Sequence, residues 1–380
     1  MQLKDYRQQI DQIDSQLLQL FEKRMRTAAD IAAYKKENGL AVLDVQRERD
    51  KLLQIYNEAS PDMQQYAVSL YSLMFELSRS HQNRLMGNNT VLTEGIAKAL
   101  QNTPQLFPEH AAVACQGVAG AYSQMACDKL FKMPNILYFS GFEAVFSAIE
   151  KGLCRYGVIP LENSTAGSVN KVYDLMTRHH FHIVRSIRLK IDHSLLAKPG
   201  VRLQDIKEIY SHEQAINQCS AFLQGLSGVR VIACENTAMA AQMVAQSERN
   251  DIAALSSRGC AKLYGLESLA DAVQDQGNNY TRFICIAKDL EIYPGADRTS
   301  LMAVLPHEPG SLYKLLSRFY ALGINLNKLE SRPMPQRNFE FMFYFDLETS
   351  VYQPQFMQLM GEMPDLCEEF SYLGSYSEVV

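Results

Sequence analysis

The residues best placed for chemistry in this sequence lie in the stretch Asn279-Tyr280-Thr281-Arg282-Phe283. It follows a segment of small and acidic residues and leads into Ile284-Cys285-Ile286-Ala287, an apolar run that predicts a buried strand. A hydroxyl and a guanidinium at the mouth of a buried strand suit an anionic ligand better than a core. Taken alone, the stretch is equally compatible with an edge strand that carries a surface Thr and Arg.

Four other loops between residues 110 and 290 place polar side chains at the end of an apolar run or at the start of a helix. They are Gly117–Ser123, Pro160–Gly167, Ser211-His212 with Gln218 beyond it, and Glu235-Asn236-Thr237. Apolar runs alternate with helical stretches here, which predicts α/β layers with helices on the sheet faces. Backbone N–H groups at a helix start can bind a carboxylate. The structural alternatives are a tight turn at Gly117, an N-cap at Asn163-Ser164-Thr165 and a surface histidine at 212.

The first 87 residues carry the pattern of an all-helical unit. Apolar residues recur at helical spacing from Leu3 to about Lys36 without Pro or Gly, which predicts one long helix. A second helix is expected from about Asp44 to Glu58, and a third from Ser60-Pro61, with Ser as N-cap, to about Arg84. The cations Arg24 and Lys35 fall on the apolar stripe, which indicates either snorkelling side chains or a desolvated anion site. Since a lone long helix cannot bury its seam, we expect an interlocked dimer.

The last 80 residues show a different alternation. Strands are predicted over Thr299–Leu305, Ile324–Leu329, Phe339–Phe345 and near Glu369–Leu373, and helices over Tyr313–Leu322 and Gln353–Glu362. This β-α-β-β-α-β order is ferredoxin-like. Residues 88–109, with a short helix over Leu92–Leu100, are predicted to link the helical unit to the α/β core of residues 110–290.

Composition excludes several function classes. A net charge of −5 without a dominant basic face argues against nucleic-acid binding. No apolar run reaches membrane-spanning length, and the polar N-terminus predicts no signal peptide. The eight scattered cysteines lack metal-ligand spacing and indicate free thiols in a reducing compartment. We therefore expect a cytoplasmic protein without a metal site.

Asn-Tyr-Thr-Arg-Phe resembles the signature of prephenate dehydratases, and the four loops match the same family. Residues 1–87 resemble the AroQ-type, all-helical chorismate mutase, and residues 299–380 resemble the ACT domain, a dimeric amino-acid sensor. The whole chain is similar to the bifunctional chorismate mutase–prephenate dehydratases of bacterial phenylalanine synthesis. The resemblance implies a two-lobed core, like a periplasmic binding protein. Val118, where the family has Pro, and Ser311, where it often has Ala, are departures.

The resemblance implies a mutase site for chorismate. Its residues are Arg7, Arg24, Lys35, Asp44, Arg47, Glu48, Ser78 and Gln82. The rearrangement needs no proton transfer, so the site has to fold the substrate and stabilise charge on its ether oxygen. Arginines suit the carboxylates, Lys35 and Gln82 the ether oxygen, and Glu48 the substrate hydroxyl or, if protonated, the ether oxygen. Arg7 lies nearly five helical turns from Arg24, so we expect it to serve the partner's site.

For the dehydratase, the resemblance implies a cleft that binds prephenate. Thr281 is the expected donor to the leaving hydroxyl, with Glu162, or another carboxyl such as Glu235, as proton relay. Asn163, Ser211 and Gln218 are expected to orient the substrate, with Ser123 and Ser164 also in the cleft. Arg282 either meets a carboxylate or braces the hinge. No metal or organic cofactor is implied.

The ACT resemblance implies control by phenylalanine at a dimer interface. The expected effector residues are Gly310-Ser311-Leu312 and Glu330-Ser331-Arg332-Pro333, between which the amino acid would bind. Taken bare, Pro-Gly and Arg-Pro are only turn signals. Two alternative functions stay open from the sequence: a non-catalytic two-lobed amino-acid sensor, and a dehydratase that prefers aminated prephenate (arogenate).

Overall fold

The structure, a computed structural model, describes residues 2–87, 90–334 and 341–379. The chain divides into two compact units, one of Met1–Ala97 with Ala303–Phe370, the other of Lys98–Met302 with Ser371–Val380. The predicted domains were 1–87, 110–290 and 299–380, with 88–109 as a linker. In the structure the helical segment groups with residues 303–370, and the residues from Ser371 group with the α/β core. Among the described residues, none of the helices combines the length and the apolar character that a membrane span requires.

The N-terminal segment consists of three helices, α1 (Leu3–Glu37), α2 (Val45–Glu58) and α3 (Gln64–Met86). The first two begin and end close to the predicted positions, and the Asp44 side chain caps α2 by accepting from Arg47 N at 3.0 Å. The predicted N-cap at Ser60 is wrong. Residues 61–63 form a turn in which Met63 N bonds Ser60 O at 2.8 Å, and α3 begins only after it. The short helix α4 (Val91–Asn102) lies in the predicted linker.

The α/β core has two lobes, each built on its own sheet. The first lobe contains β1 (His110–Gln116), α5 (Tyr122–Leu130), β2 (Met133–Phe139), α6 (Phe142–Glu150), β3 (Tyr156–Asn163), β4 (Gly167–Ser168), α7 (Asn170–His179) and β5 (His182–Lys190). The second contains β6 (Ser194–Ala197), β7 (Glu208–Ser211), α8 (Glu213–Gln218), α9 (Ser220–Gln224), β8 (Arg230–Ala233), α10 (Thr237–Gln246), β9 (Ile252–Ser256), α11 (Arg258–Tyr264) and β10 (Glu267–Ala270). The chain then returns to the first sheet as β11 (Tyr280–Ala287).

The strand orders show how the lobes are joined. The second sheet has the order β10-β6-β9-β7-β8, whereas β11 lies between β5 and β3 in the first sheet. The chain therefore crosses between lobes twice, through residues 191–193 and through residues 271–279. The predicted alternation of strands and helices is confirmed. The strand expected from Ile206 begins two residues later, and the four-residue strands β6 and β10 were not predicted.

The C-terminal segment contains β12 (Arg298–Val304), α12 (Ser311–Ala321), β13 (Asn325–Pro333), β14 (Phe341–Glu348), α13 (Pro354–Leu366) and β15 (Glu369–Tyr376). Its sheet order, β13-β14-β12-β15, is that of a ferredoxin-like fold, as predicted. Glu330–Pro333, expected after a strand, belongs to β13 itself, and Phe339 lies outside the described residues. A last strand, β16 (Glu378–Val379), pairs in parallel with β5 and extends the first-lobe sheet.

Candidate active sites

Thr281 and Asn163 form the centre of the candidate site in the two-lobed core. Strands β11 and β3 run antiparallel with these residues directly opposite each other, so their side chains share one face of the sheet. Asn163 Nδ2 donates to Thr281 Oγ1 at 2.9 Å, and Thr281 is 9% exposed. Because Thr281 accepts this bond, its own hydroxyl hydrogen is available for another acceptor, such as a substrate oxygen.

Asn163 belongs to a closed ring of side-chain hydrogen bonds, here called the amide ring. Asn163 Nδ2 donates to Asn279 Oδ1 at 2.7 Å, and Asn279 Nδ2 donates to Gln218 Oε1 at 2.9 Å. Gln218 Nε2 donates to Thr165 Oγ1 at 3.0 Å, and Thr165 Oγ1 donates to Asn163 Oδ1 at 2.7 Å. All four bonds run in one direction, so each amide orientation follows from its neighbours.

The amide ring joins the two lobes. Gln218 ends α8 in the second lobe, whereas Asn163 and Thr165 belong to the first, and Asn279 lies at the end of the second crossing. Backbone groups anchor the first-lobe side, since the N–H groups of Thr165 and Ala166 donate to Asn163 Oδ1 at 3.1 and 2.9 Å. The ring thus connects Gln218 of the second lobe to the Asn163 amide that meets Thr281.

Glu162 and Arg282 lie on the opposite face of the same two strands. They are also direct cross-strand partners, and successive residues of a strand point to opposite faces. Arg282 Nη1 donates to Glu162 Oε1 at 3.1 Å, its Nη2 donates to the Tyr376 hydroxyl, and its Nε lies 3.6 Å from Glu378 Oε2. The structure therefore separates Glu162 from Thr281, against the expected proton relay. For Arg282 it supports the bracing role over contact with the substrate.

Most of the remaining expected cleft residues form hydrogen bonds with backbone groups. Ser211 Oγ donates to Leu255 O at 2.7 Å and is fully buried. Ser164 Oγ donates to Asn278 O at 3.0 Å and accepts from Tyr280 N at 2.9 Å. Ser123 is buried in the first turn of α5.

Two loop residues act as helix caps, a role that the sequence analysis did not predict for either of them. His212 Nδ1 accepts from Gln214 N at 3.2 Å, and Asn236 Oδ1 accepts from Met239 N at 2.8 Å. Glu235 is exposed. Nothing in this geometry gives Glu235 a relay role.

In the helical segment, Arg24 and Ser78 form the core of a second candidate site. Arg24 Nη1 donates to Ser78 Oγ and, at 3.3 Å, to Met74 O, and its guanidinium lies 5.5 Å from the centre of the Phe75 ring. Burial lowers the Arg24 pKa, opposed by the nearby charges of Tyr71 and Glu48. Gln82 is 8% exposed, and its Oε1 lacks a hydrogen-bond partner within the described residues.

The other expected residues of this segment divide into bonded and exposed side chains. Lys35 Nζ donates to Val42 O at 2.6 Å, and Glu48 forms an ion pair with Arg79, a residue that sequence reasoning missed. Arg7 and Arg47 are exposed. Seventeen residues of continuous helix, roughly 26 Å, separate Arg7 from Arg24, so Arg7 cannot join this site within one chain.

A buried ion-pair network joins α3 to the helices of the C-terminal segment. Arg318 on α12 is 4% exposed, and its Nε lies 2.9 Å from Glu362 Oε2 on α13. Arg318 Nη2 also donates to Glu76 O at 3.1 Å, and Ser80 Oγ donates to Glu362 Oε1 at 3.0 Å. Glu76 also pairs with Arg79, the partner of Glu48, so the network reaches the second candidate site.

A cavity of about 490 Å³ opens beside the first expected effector motif. Gly310, Ser311 and Leu312 line it together with Phe341 and Phe343 of β14. In the β13–β14 pairing, Ser331 lies opposite Phe343, and Pro333 lies opposite Phe341. Ser331 and Pro333 therefore share the face of the two cavity phenylalanines, whereas Glu330 and Arg332 alternate to the other face.

Comparison with known proteins assigns both enzymatic segments. Residues 113–291 match the model of the prephenate dehydratase family, and residues 6–83 match that of chorismate mutase type II. The Arabidopsis thaliana protein named arogenate dehydratase/prephenate dehydratase 1, chloroplastic, is 38% identical over 281 residues, 70% of this chain and 71% of its own length. The chain belongs to the prephenate dehydratase family.

The solved structure of a prephenate dehydratase is similar to this one. The Arthrobacter aurescens prephenate dehydratase, solved in complex with L-Phe, is 25% identical with a TM-score of 0.64 and covers 70% of this chain and 90% of its own. A protein described as GqqA, a novel type of quorum quenching acylase, is 30% identical with the same TM-score and covers 70% and 98%. The dehydratase segment thus has the expected two-lobed fold, and the helical segment in front of it is a type II chorismate mutase, so this is an enzyme of aromatic amino-acid biosynthesis.

Proposed function

We propose that the chain is a bifunctional enzyme that rearranges chorismate to prephenate and then converts prephenate to phenylpyruvate. The observation that carries the second activity is the 2.9 Å hydrogen bond from Asn163 to Thr281, which holds a nearly buried hydroxyl in a fixed orientation. The first activity is supported by the cluster of Arg24, Ser78 and Gln82 in the mutase segment.

The dehydration requires two bonds to break together. The bond to the ring carboxylate breaks and releases CO2, its electron pair enters the ring, and the carbon–oxygen bond opposite releases hydroxide, which becomes water on taking a proton. Thr281 donates a hydrogen bond to the departing oxygen, where negative charge develops. Since Glu162 lies on the other face, the geometry favours solvent as the proton source over that carboxyl.

The mutase reaction is a unimolecular rearrangement. Arg24 is partly buried against Phe75, and a desolvated guanidinium binds a carboxylate more strongly than an exposed one. Lys35 and Gln82 donate to the ether oxygen. Glu48, paired with Arg79, accepts from the substrate hydroxyl, the first of the two roles open to it.

Prephenate is the substrate that we propose for the second site. The mutase segment produces prephenate itself, whereas arogenate would require an amination between the two reactions. Arogenate remains the alternative, because the named relatives include arogenate dehydratases. A non-catalytic amino-acid sensor is disfavoured by the two enzyme segments.

We also propose that the enzyme is a homodimer. On α1, the apolar residues Leu3, Tyr6, Ile10, Ile13, Leu17 and Leu20 are all at least half exposed within the single chain. An apolar stripe of this length is stabilised when another helix covers it. A second copy of α1 would do this and would bring its Arg7 towards the first chain's Arg24 site.

Phenylalanine is the effector that we propose for the C-terminal segment. The cavity beside Gly310 combines free space with the two aromatic side chains Phe341 and Phe343, which suit a phenyl ring. The ferredoxin-like strand order and the relative solved with L-Phe support this assignment to the ACT class. Inhibition then requires that the bound state has weaker affinity for prephenate, and a coupling of about 1–3 kcal/mol corresponds to 5–150-fold. The cytoplasmic location stays a prediction.

One assay tests these proposals together. Purified enzyme receives chorismate, prephenate or arogenate, and phenylpyruvate and phenylalanine are quantified with and without added phenylalanine. We expect chorismate to yield phenylpyruvate through free or transferred prephenate, and added phenylalanine to suppress it. Conversion of arogenate at a higher kcat/KM than prephenate would contradict the proposed substrate. Failure to consume chorismate would contradict the mutase assignment.

A further inference from the structure

His193 lies in the first crossing between the lobes and is held there by the second. Its backbone N donates to Gln274 Oε1 at 2.9 Å, and its carbonyl accepts from Val273 N at the same distance. Gln274 Nε2 also donates to Asp192 Oδ1 at 2.7 Å. The imidazole therefore starts from a backbone position that is fixed at the point where both crossings meet.

The His193 side chain contacts the amide ring. Its Nε2 lies 3.1 Å from Gln218 Oε1, the oxygen that also accepts from Asn279. An amide oxygen only accepts, so Nε2 must carry the hydrogen. His193 Nδ1 is buried and has no hydrogen-bond partner within the described parts of the chain. Since a hydrogen on Nδ1 would be buried without an acceptor, this geometry favours the neutral imidazole with its single hydrogen on Nε2.

The surroundings of the imidazole favour this neutral state. His193 is 2% exposed, and the Tyr122 ring packs against it edge-on, with 6.4 Å between ring centres. Burial lowers the His193 pKa, and the hydrogen bond with Gln218 and the charge of Asp192 oppose that shift only in part. The donor at Nε2 is thus present in the neutral form and does not depend on protonation.

The amide ring needs an anchor on its second-lobe side. The N–H groups of Thr165 and Ala166 fix the side chain of Asn163, the first-lobe member, whereas Asp275 N bonds the main-chain carbonyl of Gln218 at 2.7 Å and not its side chain. With one donor from Asn279 and one from His193, both acceptor positions of Gln218 Oε1 are occupied, and its Nε2 is directed to Thr165. Asn279 reaches the Gln218 side chain from the second crossing, and His193 reaches it from the first.

We propose that His193 is a positioning residue for the dehydration: its Nε2–H holds Gln218 in the amide ring and so keeps the second lobe in register with the Thr281–Asn163 pair. The inference rests on the proposed dehydratase function and adds a residue to it. His193 acts through Gln218.

The test compares three variants by kcat and KM for prephenate. His193→Leu removes the donor at similar volume, and His193→Gln places an amide N–H near the position of Nε2. His182→Leu is the control, because His182 is a half-buried histidine on β5 whose cross-strand partner is Ala287, about 20 Å along β11 from Thr281. We expect His193→Leu to lower kcat about three- to tenfold with little change in KM, as for one lost hydrogen bond. His193→Gln should recover most of it, and His182→Leu should match the wild type.

A second measurement does not depend on catalysis. Nitrogen–proton correlation spectra of the 15N-histidine-labelled wild type, with His193 assigned by its loss in His193→Gln, report which nitrogen carries the hydrogen. We expect the Nε2–H form at neutral pH. An Nδ1–H form or an imidazolium would overturn the proposal, as would wild-type kcat in His193→Leu or equal losses in the Leu and Gln variants. If Thr281→Ala loses dehydration while His193→Leu does not, only this inference fails; a wild type inactive on both prephenate and arogenate refutes the dehydratase function.

Discussion

At the scale of single residues, Thr281 carries the main test of the dehydratase site. Thr281→Ala removes the proposed donor to the leaving hydroxyl, and loss of one preorganised donor of this kind costs about 10²–10³ in kcat. Chorismate consumption should continue, so prephenate should accumulate in a product assay. Thr281→Ser keeps the hydroxyl and is the matched control. Undiminished phenylpyruvate formation by the Ala variant would contradict the assignment.

Lys35 carries the corresponding test of the mutase site. Lys35→Ala should lower kcat/KM for chorismate about 10²–10³-fold, because the ether oxygen loses a charged donor. Lys36→Ala is the control, since it removes the next cation of the same helix on a different face. Chorismate loss followed by absorbance separates the two outcomes, and equal effects of both variants would indicate only a general charge requirement.

The sequence predicted only part of the site, and it did not predict how the residues divide between the two faces of the strands. Thr281, Asn163 and Gln218 come together as expected. Glu162 does not join them. The sequence predicts a loop at this position, but Glu162 belongs to strand β3, where neighbouring residues point to opposite faces. His193 and Arg79 gave no signal, since a lone histidine and a helical arginine are common, and their roles depend on partners 25 and 31 positions away.

At the scale of elements, the Arg318–Glu362 pair tests how α12 and α13 hold α3. Arg318→Leu would leave Glu362 buried without its cation, and breaking a buried pair in this way costs about 3–5 kcal/mol of unfolding free energy. The double variant Arg318→Leu/Glu362→Leu should regain most of that loss. Denaturant unfolding of both variants measures the difference. A double variant no more stable than the single one would show that the charges themselves stabilise the contact.

Element boundaries were predictable where a local signal decides them. Helices α1 and α2 follow from their apolar spacing and from the cap at Asp44. Strand β13 includes the Arg332-Pro333 turn signal and ends there. Pro333 is its last residue, and proline is tolerated at a strand end. Strands β6 and β10 were not predicted, although β7 and β8 are equally short and were, so length alone does not explain the difference.

At the scale of the whole molecule, the proposed dimer predicts shared mutase sites. Arg7→Ala and Lys35→Ala subunits should each be inactive alone. When they are mixed and allowed to exchange, one of the two sites in each hybrid has both residues, so about half of one dimer's activity should return per hybrid. Mass spectrometry of differently tagged subunits verifies that hybrids form. Hybrids without recovered activity would refute the sharing of Arg7 between subunits.

The division into compact units was the least predictable feature. The sequence predicts one C-terminal unit over residues 299–380, but the residues from Ser371 onwards group with the dehydratase core. Two contacts account for this: β16 pairs with β5, and Arg282 meets Tyr376 and Glu378. No local pattern in Glu378-Val379 specifies a partner strand, since two residues can pair with any open edge.

The pairing of β16 with β5 also has a consequence for folding kinetics. Glu378 meets Arg188 across 190 positions of sequence, and contacts of such separation form late because loop closure must precede them. Interactions absent from the transition state affect the unfolding rate and leave the folding rate nearly unchanged. Glu378→Gln should therefore shorten the lifetime of the folded dehydratase core without slowing its refolding. This short strand would then help to set how long the core stays folded.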